Sequence, residues 1–466
     1  MQTTSVKGPP GRFGLRNFGL FIRSPLVFLQ ELTEKYGDLV DVKLPMGRWL
    51  IVNHPANIEH TLVDHAADVG RDEYAGVLER ALGKGLLTSD GDTWKRQRRL
   101  ASAAFTPKRI KGYASAMSKV TSAGIERWTN GSLINLHEEM SRLTMEVVAD
   151  VLFGANVGAK EVATMKTAMA VFNDYFAQSP EGILKLKPWV PTPRNIAMNR
   201  SIEAVDAIIF GIVEGRKNGG AAKDDLLAAL LGATDEDGSR MSDKLLRDEV
   251  VTLFLAGHET TALALTHCLY LLAKHPHVER RVQEELRTVL DGRLPGEADV
   301  PRLVLVDRVI KESMRLYPPA WVTGREVTHP FEIDGYMVPP KTQVIMSQWL
   351  VHHDPRWYPN PEAFDPDRFE PEAVKQRPRF AYFPFGGGPR ICIGNHFAMM
   401  EAVLMLSIIL QRFRVELLPF EQLRLSPSVT LRPKGAGLRA RVFERQTPSA
   451  FAMADMGMAP ATRLST

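Results

Sequence analysis

The sequence predicts a mainly α-helical protein with a smaller β-rich lobe, and three observations lead there. From Ile58 to about Leu290 the apolar residues recur at helical spacing. Residues 37–55 (GDLVDVKLPMGRWLIVNHP) instead give two β-rich runs about Pro45-Met46-Gly47, the pattern of a hairpin, and residues 322–348 alternate like short strands. Two apolar stretches, residues 250–273 and 397–410, carry Glu259 and Glu401 inside them, which suits buried core helices better than lipid-facing ones.

Taken in chain order, the first 28 residues break their apolar positions with glycine, proline and arginine, so neither a signal sequence nor a spanning helix can be drawn. A cytoplasmic protein without a membrane anchor is expected. Residues 187–194, 215–222 and 232–242 read as loops between helices, and Ser242 is placed to cap a long helix ending near Lys274. Residues 364–388 are rich in Pro, Gly and aromatics and read as a long coil that delivers Cys392 to the start of a helix. Residues 446–466 lack periodicity and read as a disordered tail, which leaves residues 1–445 as one domain with no internal repeat.

At 466 residues, with 44% hydrophobic and 24% charged, the chain can bury a sizeable core and is not of disordered or fibrous type. Its two cysteines, Cys268 and Cys392, argue against a disulfide framework. A net charge of +4 is too small to suggest a nucleic-acid binder. His352-His353-Asp354 and His267-Cys268 lack a second ligand group at zinc spacing.

Residues 385–394 (FGGGPRICIG) carry the strongest chemical signal. Three glycines let the backbone turn sharply and approach a flat ligand, and they set the cysteine sulfur before a helix N-terminus. Amide donors there lower a thiol pKa, and the thiolate is the metal-binding form. A buried structural cysteine is the default for an isolated thiol. The rest of the motif argues otherwise: Phe385, Gly386, Gly388, Arg390, Cys392 and Gly394 match, in order and spacing, the haem-binding loop of the cytochrome P-450 family, which this chain resembles from about Pro25 to Phe443. Ala398 and Glu401 continue the pattern.

The resemblance implies haem b (iron protoporphyrin IX), buried between a long distal helix and the proximal Cys loop and helix. It makes Cys392 the iron ligand, sets Arg390 at a propionate, packs Phe385 near the sulfur and counts Gly386, Gly394 and Ala398 among the cofactor-binding positions. A thiolate opposite oxygen favours O–O cleavage over oxygen carriage.

Residues 256–261 (AGHETT) put an acid and an alcohol in the long apolar helix, which is costly unless they are paired or wetted. Thr260 bonding back to the Ala256 carbonyl is the plain reading. By resemblance, Ala256 lies over the haem, and Glu259 and Thr260 relay protons to oxygen. Glu312 and Arg315, three apart, could be an exposed ion pair of the common, weak kind. With Arg368 in FDPDRF they resemble instead a buried Glu-Arg-Arg network that positions the cysteine loop. Trp94 and Arg98, four apart, and Arg325 resemble further propionate partners. Phe172, Phe176, Trp321, Val322, Thr323 and Val429, with the loop 71–87, are the pocket positions by the same matching.

The expected activity is reductive activation of O2 and hydroxylation or epoxidation of an apolar small molecule: a fatty acid, terpenoid, steroid or similar, with a tilt toward lipids from the GHETTA and FPFGGGPRICIG stretches. The basic run Lys95, Arg96, Arg98, Arg99, Lys108, Arg109 and Lys111 suggests docking of a separate ferredoxin or flavodoxin-type electron donor to a monomer, because no reductase fingerprint follows. Two alternatives stand beside this reading. One is a haem-thiolate enzyme that uses peroxide or isomerises its substrate; the other is a non-catalytic haem sensor.

Overall fold

The computed structural model describes residues 6–11, 13–154, 158–178, 189–218, 225–235, 237–435 and 437–445. The residues 446–466, expected as a tail, lie outside that set.

A five-stranded sheet builds the β-rich lobe. Its spatial order is Leu39–Leu44, Gly47–Val52, Gln343–Met346, Thr323–Val327, Val69–Gly70. The first two strands form the expected hairpin, antiparallel from Leu39↔Val52 to Leu44↔Gly47. The parallel pairing of Leu50 with Val344 and the antiparallel pairing of Arg325 with Val344 join distant parts of the chain. Gly70 pairs with Glu326, so Arg71 emerges beside Arg325. Two arginines 254 positions apart in number, 325 less 71, are thereby brought to one sheet end.

Helices make the rest. The longest, Asp243–Lys274, is about 48 Å at 1.5 Å per residue. It begins where expected: the Ser242 hydroxyl accepts from the Leu245 N–H at 3.2 Å. The helix has 21 buried residues on several faces, so it runs through the core rather than along it. It packs on Leu136–Phe153, Val304–Leu316 and Asn395–Arg412, and the last two also touch each other. Their buried side chains belong to one large apolar cluster, while two smaller clusters hold the β-rich lobe.

Several elements depart from the sequence reading. The N-terminal stretch, read only as broken, forms helices Leu15–Arg23 and Pro25–Tyr36; Pro25 sits at a first helical position, where its missing N–H is harmless. The coil 364–388 contains short turns, Pro366–Phe369, Pro371–Lys375 and Arg379–Ala381. The helix Pro193–Lys217 runs into the loop expected at 215–222. Near the C-terminus, Phe413–Leu417 and Leu133–Asn135 flank Arg439–Glu444, and Leu425–Pro427 pairs with Leu431–Pro433. The three-residue strands are too short for a period-2 signal, whereas Phe413–Leu417 and Arg439–Glu444 do alternate and were overlooked. A π-helical turn, His60–Asp64, follows Pro55–Glu59. Among the described residues no helix is long and apolar enough to cross a membrane.

Candidate active site

The cysteine loop is held from behind. The Cys392 N–H donates to the Phe385 carbonyl at 3.0 Å, and the Ala398 N–H to Gly394 at 2.8 Å, so the loop closes and the helix Asn395–Arg412 starts directly after it. Gly388 has φ +66°, and a Cβ there would stand 1.8 Å from the Leu62 carbonyl oxygen of the π-helical turn. At Gly387 a Cβ would stand 2.3 Å from the Phe380 ring. The sequence reading assigned these glycines to ligand approach. The contacts show that close packing of the loop on residues 62 and 380 requires them as well.

Cys392 is exposed on one side, yet neighbours crowd its other sides and burial pushes the thiol up rather than down. The Gly394 N–H and Arg98 pull the other way without prevailing. The Gly394 amide lowers the pKa, as expected of a helix start, but burial outweighs it. A metal cation at the sulfur would supply what the backbone does not.

Four guanidinium groups gather beside the loop. Arg98 donates to the Ile391 carbonyl at 2.8 Å, Arg390 to the Ser89 carbonyl at 3.2 Å, Arg71 to the Leu86 carbonyl at 3.0 Å and Arg325 to its neighbour Gly324 at 2.7 Å. Arg390 also pairs with Asp90 and stacks 4.2 Å from the Trp94 ring centre. Trp94 is thus placed under Arg390. Burial, with repulsion from Arg325 and Arg390, pushes Arg71 down to about 9; burial, with repulsion from Arg390, pushes Arg325 down to about 10. Arg98 and Arg390 are also lowered by burial. Asp72 and Asp90 oppose these shifts but do not cancel them. A cluster with excess positive charge in a desolvated place fits a ligand bearing carboxylates. Haem has two propionates and an iron that takes a thiolate, so the donor set suits it. Arg71 was assigned to the pocket loop in the sequence reading; its sheet-borne place beside Arg325 carried no local signal.

On the long helix Asp243–Lys274, Ala256 is exposed although most of the residues around it are buried. The Thr260 hydroxyl donates to the Ala256 carbonyl at 2.7 Å, the plain reading of that residue. Glu259 is buried and turns elsewhere: its Oε1 lies 2.6 Å from Arg432 Nη2, in an ion pair not aligned as a hydrogen bond. Adjacent helical residues do not share a face, which is why acid and alcohol diverge. His258, between this helix and Leu136–Phe153, has its Nε2 2.8 Å from the Ser141 hydroxyl, and burial pushes it down to about 4. Arg432 carried no sequence signal.

Glu312 and Arg315 form a bidentate pair, 2.7 and 2.8 Å, with no exposure of either side chain. Arg315 also donates to the carbonyls of His352 and Ala363, at 2.8 and 3.1 Å. The Asp365 N–H donates to Glu312 at 3.0 Å, and Arg368 approaches it at 3.5 Å. The three residues are therefore together, beneath the chain leading to the cysteine loop.

The pocket positions separate. Phe172 (0% exposed) and Trp321 (4%) are packed into apolar clusters rather than presented on an open wall, and Trp321 Nε1 donates to the Ser428 carbonyl at 2.8 Å. Val322, Thr323 and Val429 keep partial exposure; the Phe176 side chain lies outside the described set. The basic run is also less free than its sequence suggests. Arg96 and Arg99 both pair with Asp235, Lys95 with Asp92 at 3.1 Å and Lys111 with Glu297 at 2.6 Å, while Arg98 serves the cysteine loop.

A family model described as Cytochrome P450 matches residues 8–439. Among characterised relatives, Cyclooctatin synthase of Streptomyces melanosporofaciens is 38% identical over 432 residues, 91% of this chain and 92% of the relative. Cyclooctat-9-en-7-ol 5-monooxygenase of the same organism is 34% identical, with 85% and 86% covered. Pentalenene oxygenase of Streptomyces avermitilis is 33% identical, with 86% and 89% covered. The solved cytochrome P450DA heme domain superposes with a TM-score of 0.85 at 26% identity over 96% of this chain and 98% of its own, and the retinoic acid bound cyanobacterial CYP120A1 with 0.82 at 25% over 95% and 100%. The chain belongs to the cytochrome P450 family and is a haem-thiolate monooxygenase that acts on an apolar small molecule with O2 and electrons from a redox partner.

Proposed function

We propose that the protein oxygenates a cyclic terpenoid, using haem b held by the Cys392 thiolate. The gathering of Arg71, Arg98, Arg325 and Arg390 beside that sulfur carries the cofactor assignment, because Asp72 and Asp90 offset only part of their charge. The three Streptomyces relatives, whose names denote terpenoid oxidation, favour the substrate class over the fatty-acid tilt of the motif reading.

The overall reaction consumes substrate, O2, two electrons and two protons and yields a product with one added oxygen atom plus water. Bound haem supplies the iron at which O2 is reduced and cleaved. The protein's own residues do the rest. Cys392 would hold the iron, and Arg71, Arg98, Arg325 and Arg390 would pair with the propionates. Glu259 and Thr260 move protons toward oxygen, Thr260 by releasing its bond to the Ala256 carbonyl. Glu312, Arg315 and Arg368 hold the segment before the loop. Val322, Thr323 and Val429 offer the apolar wall that excludes water and orients the substrate. The electron donor is a ferredoxin or flavodoxin-type protein that meets a monomer in the cytoplasm on the face of Lys95–Lys111, with Lys108 exposed there and Arg96 and Arg99 partly offset by Asp235.

One sample of protein loaded with haem is reduced under carbon monoxide, and a second, left oxidised, is titrated with pentalenene, cyclooctat-9-en-7-ol and lauric acid while the haem spin state is followed. The expected results are the absorption band of a thiolate-ligated haem, lost in Cys392→Ala, and a saturable spin-state change with a terpenoid but not with the fatty acid. With a surrogate ferredoxin, its reductase and NADPH, the product takes one atom of ¹⁸O from ¹⁸O2. A band unchanged in Cys392→Ala, or a response to the fatty acid alone, overturns the corresponding assignment.

A further inference from the structure

The sequence placed an acid in the distal helix but gave it no partner; the partner comes from the C-terminal hairpin. Arg432 lies in the strand Leu431–Pro433, directly after the tip formed by Ser428, Val429 and Thr430. Its Nε donates to the Thr430 hydroxyl at 3.1 Å, and its Nη2 stands 2.6 Å from Glu259 Oε1. The hairpin is itself fixed to the turn after Val304–Leu316: Leu431 N–H donates to the Pro319 carbonyl at 2.9 Å and Trp321 Nε1 to the Ser428 carbonyl at 2.8 Å. The guanidinium is therefore a rigidly mounted group rather than a long side chain searching for a charge.

We propose that Arg432 is the positioning residue of Glu259: it confines the acid to one orientation at the wet edge of the distal helix, from which protons reach Thr260. This rests on the assignment of Glu259 as the proton-relay acid. A glutamate has several rotamers of similar energy, and Glu259 points off the face that carries Thr260, so an unanchored carboxylate spends most of its time out of reach. The guanidinium removes that freedom. It also marks the path to water, since the Arg432 side chain is 21% exposed and that of Glu259 7%. His137 stands in the field of both groups and His258 in contact with Ser141; burial holds both imidazoles below their ordinary value, so neither competes for the carboxylate as a cation at neutral pH.

Arg432 has no other part in the reaction, which makes the proposal separable. Without added substrate, with a surrogate ferredoxin, its reductase and NADPH, O2 goes either to hydrogen peroxide (two electrons, two protons) or to water (four electrons, four protons). The second branch needs delivery of more protons to oxygen, so the ratio of peroxide formed to NADPH oxidised reports on the relay. In Arg432→Gln the peroxide-to-water ratio should rise on the order of tenfold, with a larger effect of D2O, and Arg432→Lys should recover most of the loss.

The double variant Glu259→Gln/Arg432→Gln leaves no buried charge unpaired and should behave as Glu259→Gln alone in this assay. Thermal unfolding gives a second readout that does not depend on turnover: Arg432→Gln should melt below both the parent and the double variant. If Arg432→Gln matches the parent in branch ratio and isotope effect while Glu259→Gln does not, or if the double variant is worse than Glu259→Gln, the positioning role is wrong and the acid assignment stands. If Glu259→Gln itself is indistinguishable from the parent, the acid assignment falls and the positioning role falls with it.

Discussion

On the proximal side, Glu312 meets Arg315 through two hydrogen bonds, and the spare donors of Arg315 reach the carbonyls of His352 and Ala363. On the distal helix, Glu249 Oε1, Thr252 Oγ1 and His258 Nδ1 have no hydrogen-bond partner among the described residues, though all are buried. Across from Thr261, on the helix Asn395–Arg412, Glu401 is fully buried with the Thr261 hydroxyl as its one favourable neighbour. The first region shows how buried charge is made permanent, with both oxygens of Glu312 and all three nitrogens of Arg315 engaged. The second keeps groups that can change protonation, and burial pushes Glu249 up to about 7 and Glu401 up to about 8. Fully paired charge gives rigidity where a ligand must be held. Unpaired polar groups line the helix over which protons must move.

Breaking the matched side should cost most. Arg315→Ala strands the Glu312 carboxylate and should lower stability by about 3–5 kcal/mol, measured by denaturant unfolding; the paired change Glu312→Met/Arg315→Met should recover much of that. Equal losses in the single and paired variants would show that packing, not charge pairing, dominates there.

The unmatched side is tested by pH. Glu401 has a folded value near 8, above its ordinary 4.5, so between those values the folded protein keeps a proton that the unfolded chain gives up. Stability contributed by this group is complete below about 4.5 and is lost as pH rises toward 8, with a slope approaching about 1.4 kcal/mol per pH unit. Glu401→Gln should flatten that part of the stability profile and be the more stable protein at pH 9. A profile parallel to the parent's would mean that Glu401 ionises normally. The smallest effect belongs to the end of the distal helix, where Ser242→Ala should cost about 1 kcal/mol in unfolding and leave haem loading unchanged.

What could be read from the sequence follows the same division. Cys392, Arg390, Glu312 and Arg315 sit in local patterns whose spacing survives folding, and the capped distal helix and the 37–55 hairpin are likewise local. Arg71 and Arg432 reach the site through pairings that join segments far apart, Gly70 with Glu326 and Leu431 with Pro319, and no window of sequence contains both halves. The balance at Cys392 was only half legible for a related reason: a helix end is visible in a motif, but the crowding that desolvates the sulfur is supplied by the rest of the chain. Phe172 and Trp321 match pocket positions by alignment of residue types, yet only three-dimensional packing decides whether a side chain faces a cavity or the core. Lys95, Arg96, Arg99 and Lys111 are paired by Asp92, Asp235 and Glu297; the last two lie more than a hundred positions away.

The wide turn at His60–Asp64 ties the iron-binding loop to a segment near the other end of the chain. Its i→i+5 bond, His65 N–H to the His60 carbonyl at 2.9 Å, accommodates one residue more than an α-turn, and the Leu62 carbonyl lies against the bare Cα of Gly388. Deleting one residue from that turn would heal it to regular helix and withdraw the carbonyl. The same deletion should then make a methyl group at 388 less crowded, although the positive φ would still penalise it. The insertion and the glycine are thus a matched lock and key, and either one altered alone leaves the loop ill-fitting.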